Sequence, residues 1–213
     1  MRAYIYTGGQ IDPACITERP EEGDLLIAAD GGWNNAALLG ITPSVLLGDM
    51  DSLGDGKVPK EVEVYRVPAE KDLTDTQLAV ELALKRGAKD IVIIGGISGR
   101  LDHTLSNLAI LEHLNEMRVH ALINDGFNRA RFIRNNSTLI PRGKYTYLSL
   151  LAADPVCKGV EIDGVKYPLK NAKLKRSHQY AVSNELTGNC AFIAVKKGGL
   201  YIIESRDTVS SDK

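Results

Sequence analysis

The sequence predicts an α/β N-terminal domain with a mainly parallel sheet over residues 1–126 and an all-β sandwich over residues 127–213. Two observations carry this expectation. Short apolar runs alternate with helical patterns as far as Asn124, which implies crossover units joining parallel strands. Beyond Asp125 and Gly126, short strand-like runs follow one another with turn signals between them and no helical pattern. A chain of 213 residues has room for one large or two small domains, so its length leaves this division open.

Each element has a local reason. Ala3 to Thr7 and Asp24 to Ala29 are apolar, β-branched runs that stop at Gly8-Gly9 and at Asp30-Gly31-Gly32, so each reads as a buried strand entering a tight turn. Trp33 to Leu39 fits a short helix closed by Gly40, and Val45 to Leu47 forms a third strand that delivers Gly48 to Ser52. Val62 to Val67 is a fourth strand, ending at Pro68. Thr74 and Gln77 have the spacing of a capping box, and Asp75 falls in a first helical turn, where negative charge suits the helix dipole. That helix carries Leu78 and Leu82 on one side and closes at Lys85, Arg86 and Gly87. Ile91 to Ile94 is the next strand and Gly95 to Arg100 a glycine-rich turn. Leu101 to Met117 follows as a long amphipathic helix with Leu105, Leu108, Leu111 and Leu114 in register, and Val119 to Asn124 closes a Rossmann-like series.

In the second domain the expected strands are Arg129 to Ile133, Thr138 to Ile140, Lys144 to Leu151, Val156 to Ile162, Val165 to Leu169, Cys190 to Lys196 and Leu200 to Glu204. Turn pairs such as Asp163-Gly164 and Gly198-Gly199 separate them. Thr208 to Lys213 reads as a polar tail.

Bulk charge excludes some functions. With 26 basic against 27 acidic residues the net charge is -1, so no nucleic-acid or membrane surface is expected from overall electrostatics. No run approaches the roughly 20 apolar residues of a membrane helix. Cys15, Cys157 and Cys190 are too scattered for a disulfide framework or a structural zinc site, and a cytoplasmic location is expected.

The chemistry is expected beyond the carboxyl ends of the parallel strands, where open α/β sheets bind ligands. Leu-Leu-Gly-Asp-Met-Asp-Ser, residues 46–52, is the hub. In an extended chain alternate side chains share a face, which puts Asp49 and Asp51 about 6.6 Å apart at the backbone, able to converge on one hard cation such as Mg²⁺. The same residues also make an ordinary turn. Gly95 to Arg100 leads into a helix, an arrangement that accepts phosphate through free N–H groups and the helix dipole; equally, Gly95 and Gly96 permit a sharp turn with Arg100 solvated. Asp102 reads as a helix cap or a ligand, His103 as a structural histidine or a ligand, and Asp72 and Asp75 as helix-start acids or ligands. Four acids on one face repel unless a cation sits among them. Neither a Walker-type loop nor a G-x-G-x-x-G after the first strand is present, so any nucleotide is held another way.

Five motifs taken together resemble the thiamine pyrophosphokinase family: A-D-G-G at Ala29 to Gly32, G-D-M-D-S at Gly48 to Ser52, K-D-L-T-D at Lys71 to Asp75, G-G-I-S-G-R-L-D-H at Gly95 to His103, and V-S-N-E at Val182 to Glu185. The resemblance spans both domains. It implies an α/β catalytic domain that binds ATP and Mg²⁺, a β-sandwich that binds thiamine and dimerises, and a homodimer with thiamine between subunits. The implied reaction moves a pyrophosphoryl group from ATP to the hydroxyethyl group of thiamine, giving thiamine diphosphate and AMP. Carried over by position, Asp49, Asp51, Asp72 and Asp75 resemble the acidic set that holds the metal and serves catalysis together with Arg100. Asp30, Gln77, Gly96, Arg100, Asp102 and His103 resemble the nucleotide-binding set, and Ser183 and Asn184 the pair that meets the thiamine pyrimidine. From spacing alone, Ser183 and Asn184 read equally as a polar turn between strands. Met50 stands where the family often has Phe.

Two rival readings compete. A nucleotide-sugar glycosyltransferase also uses D-x-D and a divalent cation, but leaves the Gly95 to His103 motif and the Ser183-Asn184 pair unexplained. A non-catalytic nucleotide or thiamine sensor could dispense with the metal carboxylates, and this chain has all four.

Overall fold

The computed structural model describes residues 1–48, 58–67 and 72–207. The chain forms two compact units, Met1–Gly126 and Phe127–Lys213.

The first unit contains β1 (Arg2–Tyr6), β2 (Leu25–Ala29), α1 (Gly32–Leu38), β3 (Val45–Gly48), β4 (Glu63–Arg66), α2 (Asp75–Lys85), β5 (Asp90–Ile94), α3 (Leu101–Glu116) and β6 (His120–Asn124). Its six strands are all parallel, in the order β4-β3-β2-β1-β5-β6. β1 is central, with Tyr4 opposite Leu26 on one side and Val92 on the other. Strands covered on both faces should be apolar throughout. Tyr4, Ile5 and Tyr6, and Ile91 to Ile94, are accordingly buried. Tyr4, Tyr6, Val92 and Ile94 pack with Ala36 of α1 on one face, while α2 lies against β1, β2 and β3 and α3 against β6. The chain leaves β4 at one edge and returns to the centre as β5, so the strand order reverses between β1 and β5. A crevice at the carboxyl ends beside such a reversal is where α/β sheets bind ligands.

Two expectations about this unit need correction. The inward stripe of α3 is Asn107, Ile110, Leu111 and Leu114, while Leu101 and Leu105 are exposed. A polar residue takes the inward position near the helix start because its amide serves the preceding turn, and this rotates the leucines of the first turns outward. β4 is shorter than Val62 to Val67, and all four of its residues are exposed at the sheet edge.

The second unit contains β7 (Asn128–Arg134), β8 (Ser137–Pro141), β9 (Tyr147–Ala152), β10 (Val156–Asp163), β11 (Leu169–Lys175), β12 (Cys190–Lys197) and β13 (Gly199–Ser205). They form two antiparallel sheets, β7-β13-β9 and β11-β10-β12-β8. One core draws Ile133, Leu148, Leu150, Leu200 and Ile202 from the first sheet and Ile140, Val160, Ile162, Leu174, Ile193 and Val195 from the second. At one end of the first sheet the buried pair Arg129 and Glu204 is joined by two hydrogen bonds, Nε to Oε2 at 2.8 Å and Nη2 to Oε1 at 2.6 Å. The strand expected at Val165 to Leu169 is instead a single bridge, Val165 to Leu186, and the strand begins at Leu169. In Leu-Lys-Asn-Ala-Lys-Leu-Lys only Leu174 is fully buried, and edge strands carry lysines that discourage further pairing.

No helix among the described residues is long and apolar enough to cross a membrane.

Candidate functional site

A cavity of about 640 Å³ opens at the carboxyl end of the parallel sheet. It is lined by Thr7, Gly8 and Gly9 after β1, Ala29 and Asp30 at β2, residues 72–76 at the start of α2, Gly96, Ser98, Gly99 and Arg100 after β5, and His103 and Asn107 of α3. Of the site residues expected from sequence, it gathers Asp30, Asp72, Asp75, Gly96, Arg100 and His103.

Asp30 sits in the left-handed region at φ 48°, which Asp tolerates better than most residues. Its N–H donates to the Leu47 carbonyl at 2.8 Å and its carbonyl accepts from Trp33, so the turn joins β2, β3 and α1. Gly48 packs against it: a Cβ on Gly48 would stand 3.2 Å from Asp30 Cα. Gly48, the last described residue of β3, thus lies against a residue that lines the cavity. Asp49 and Asp51 themselves lie outside the described residues. Asp72 is exposed and makes no hydrogen bond or ion pair among the described residues. Asp75 is half-buried in the first turn of α2, behind a complete capping box in which Gln77 N–H donates to Thr74 Oγ1 and Thr74 N–H donates to Gln77 Oε1 at 2.9 Å. Gln77 thus spends its carbonyl oxygen on the cap, and it lines a neighbouring groove between α2 and α3, not this cavity.

The turn after β5 is shaped by contact. Gly96 lies at φ 78°, and a Cβ there would stand 2.8 Å from Asn107 Nδ2 and 2.9 Å from Thr7 Oγ1, so only glycine fits. Arg100 is the N-cap residue of α3 and is exposed. Its Nε and Nη2 donate to the two carboxylate oxygens of Asp102 at 3.1 and 2.6 Å, and Asp102 Oδ1 also accepts the N–H of His103 at 2.9 Å. Asp102 is therefore not the helix cap. The guanidinium beside it, with the His103 N–H, pulls its carboxyl down to about 2.

Three residues that sequence reasoning did not single out build this site. Thr7 Oγ1 donates to the Ile94 carbonyl at 3.1 Å, and Asn35 and Asn107 donate from buried positions to carbonyls of the two glycine turns. A signal existed for Asn107, an amide within the apolar stripe of α3.

In the second unit Ser183 lies at φ 56° and is exposed, and its Oγ has no hydrogen bond among the described residues. Asn184 is buried; its Oδ1 accepts from the N–H groups of Tyr167 and Glu185, each at 3.0 Å, and its Nδ2 donates to the Tyr167 carbonyl at 2.8 Å. Its backbone pairs with Leu148 in both directions. The second Nδ2–H makes no hydrogen bond among the described residues.

Asp30, Asp72 and Asp75 give the cavity an acidic lining, but no three His, Cys, Asp or Glu side chains among the described residues are grouped closely enough to hold a metal ion. The glycine turn and Arg100 suit a polyphosphate.

Comparison with known proteins places the chain in a family. A family model described as thiamin pyrophosphokinase, catalytic domain, matches residues 18–123, and one described as thiamin pyrophosphokinase, vitamin B1 binding domain, matches residues 136–200. Thiamine pyrophosphokinase of Bacillus subtilis (strain 168) is 29% identical over 206 residues, 90% of this chain and 92% of that protein. The crystal structure of a thiamine pyrophosphokinase from Bacillus subtilis superimposes with a TM-score of 0.85 at 26% identity, covering 98% of this chain and 100% of that one. That of a thiamin pyrophosphokinase from Geobacillus thermodenitrificans gives 0.83 at 27%, covering 98% and 99%. The chain, an α/β unit followed by a β unit, belongs to the thiamine pyrophosphokinase family, enzymes that are diphosphotransferases.

Proposed function

We propose that the chain transfers the pyrophosphoryl group of ATP to the hydroxyethyl oxygen of thiamine, giving thiamine diphosphate and AMP. The observation that carries this reading is the single cavity in which acidic side chains, a glycine turn and Arg100 meet at the carboxyl end of the parallel sheet. The hydroxyl oxygen bonds to the β-phosphorus, the bond from that phosphorus to the α,β-bridging oxygen breaks, and AMP leaves with the bridging oxygen. The hydroxyl proton passes to a carboxylate of the cavity. Arg100 exchanges its exposed partner Asp102 for polyphosphate oxygens, with which a guanidinium pairs equally well.

Asp49, Asp51, Asp72 and Asp75 would hold Mg²⁺, which when bound neutralises polyphosphate charge. Asp30, Gly96 and His103 border the nucleotide, Asp102 holds Arg100 until the polyphosphate takes its place, and Gln77 acts by fixing the start of α2. The first unit serves as a Rossmann-like catalytic domain. The second is a β-sandwich for thiamine and dimerisation, in which the Ser183 hydroxyl and the remaining Asn184 amide N–H meet the aminopyrimidine. The working protein is a cytoplasmic homodimer, which light scattering on the purified chain tests.

Incubation with ATP, Mg²⁺ and thiamine, followed by phosphorus NMR, tests the reaction. Thiamine diphosphate and AMP are expected without thiamine monophosphate; ADP with thiamine monophosphate would overturn pyrophosphoryl transfer.

A further inference from the structure

The turns after β1 and β5 are each held by a buried asparagine from a different helix. Asn35 of α1, 6% exposed, donates through Nδ2 to the carbonyls of Thr7 at 2.7 Å and Gly9 at 2.9 Å. Asn107 of α3, 4% exposed, donates through Nδ2 to the Gly96 carbonyl at 2.7 Å. The turns are also tied to each other, Gly96 N–H to the Gly8 carbonyl at 3.3 Å and Ser98 Oγ to the Gln10 carbonyl at 3.2 Å.

A trans peptide points its C=O and the following N–H to opposite sides. Fixing the carbonyls of Thr7, Gly9 and Gly96 onto interior amides therefore turns the N–H groups of Gly8, Gln10 and Ile97 away from those amides. None of these three N–H groups has a hydrogen bond among the described residues. Gly8, Gly9 and Gly96 line the cavity. A set of backbone donors fixed in direction at the mouth of a parallel sheet is a receptor for an anion with many oxygens.

We propose that Asn35 and Asn107 are positioning residues for the nucleotide polyphosphate, and that they act by aiming the amides of Gly8, Gln10 and Ile97 at its oxygens. The inference rests on the nucleotide reading above. It adds a grip on the polyphosphate that works alongside Arg100 and the carboxylates.

The test uses the full chain, ¹⁵N-labelled, titrated with α,β-methylene ATP, whose carbon bridge blocks the transfer, and separately with adenosine. The amide resonances of Gly8, Gln10 and Ile97 should move with the analogue and stay in place with adenosine. Asn35→Leu and Asn107→Leu, which keep the branched side-chain shape and remove the amide, should weaken the analogue about tenfold while adenosine binding stays within about twofold, since an oriented hydrogen bond to a charged group contributes roughly this much. Three results would overturn the proposal: amides unmoved by bound analogue, variants that bind the analogue as the wild type does, or equal weakening of both ligands, which marks a purely structural role. If a variant fails to fold, the wild-type amide shifts decide alone. A wild-type chain that binds no analogue overturns the nucleotide reading together with this one; normal binding with unmoved amides overturns this one only.

Discussion

The side chain of Asn184 pairs with the backbone of Tyr167 as a neighbouring strand would, accepting its N–H at 3.0 Å and donating to its carbonyl at 2.8 Å. This fixes Asn184 in place and leaves Ser183, next to it, exposed in a left-handed conformation. In Asn184→Asp the Nδ2 donor is replaced by an oxygen facing the Tyr167 carbonyl, a loss of about 1–3 kcal/mol at a buried site. Thermal unfolding should show a lower Tm, and the KM for thiamine should rise more than the KM for ATP as Ser183 loses its support. Unchanged values of both would mean that the pairing holds nothing that substrate uses.

Arg100 and Asp102 give a second expectation. With its carboxyl lowered to about 2 by the guanidinium, Asp102 should remain ionised at pH 3, and carbon NMR of labelled protein should show it. A depressed carboxylate contributes its interaction fully above the ordinary value of 3.8 and loses it as pH falls through about 2. Both groups are exposed, so the effect belongs to local geometry and not to stability. In Arg100→Gln the Asp102 titration should rise toward 3.8 and turnover should fall by roughly 10²–10³, the usual scale for removing one group that stabilises developing charge. An Asp102 midpoint that does not respond to the substitution would break the pairing.

The Arg129–Glu204 pair should matter to folding and not to transfer. Glu204→Ala removes the buried carboxylate that both Arg129 and Arg131 hydrogen-bond, a loss of about 3–5 kcal/mol. The double change Arg129→Met with Glu204→Leu keeps the volume, removes the two most buried charges and should recover part of that loss, with the more exposed Arg131 left to solvent. Urea unfolding followed by circular dichroism compares them; a single variant as stable as the parent would show that Arg129 finds another partner.

The strand and helix order was legible because each element of the first unit has its own period and its own stop signal. Leu105 misled because a leucine count cannot see that Asn107 is needed at the Gly96 carbonyl, which sets the rotation of α3. Leu169 to Lys175 was hidden because a lysine-rich edge strand buries almost nothing. That Asp30, Asp72, Asp75, Gly96, Arg100 and His103 would line one cavity was legible because strand-end positions of a parallel sheet converge. Thr7 and Asn35 were not, since their work is done by single hydrogen bonds to carbonyls distant in sequence, and no spacing rule encodes those.

The acidic residues give the last prediction. Asp72 has no protein partner among the described residues although it stands at the cavity rim, so the protein around it gains nothing from its charge. Asp75 has both a local role at the start of α2 and a place at the cavity. Replacement by Asn keeps the shape of each and removes a charged oxygen. Asp72→Asn should therefore leave the Tm unchanged and lower kcat by roughly 10²–10³. Asp75→Asn should lower kcat similarly and also cost a few tenths of a kcal/mol to about 1 kcal/mol, because a negative charge in the first turn is lost. Asp49→Asn and Asp51→Asn should behave as Asp72→Asn does. The discriminating measurement is the Mg²⁺ dependence of turnover. If these carboxylates hold the cation, each variant needs a higher Mg²⁺ concentration for half-maximal rate. A lowered kcat at an unchanged Mg²⁺ requirement would assign that residue to the thiamine hydroxyl, and full activity at limiting Mg²⁺ in all four would remove the acidic set from the reaction.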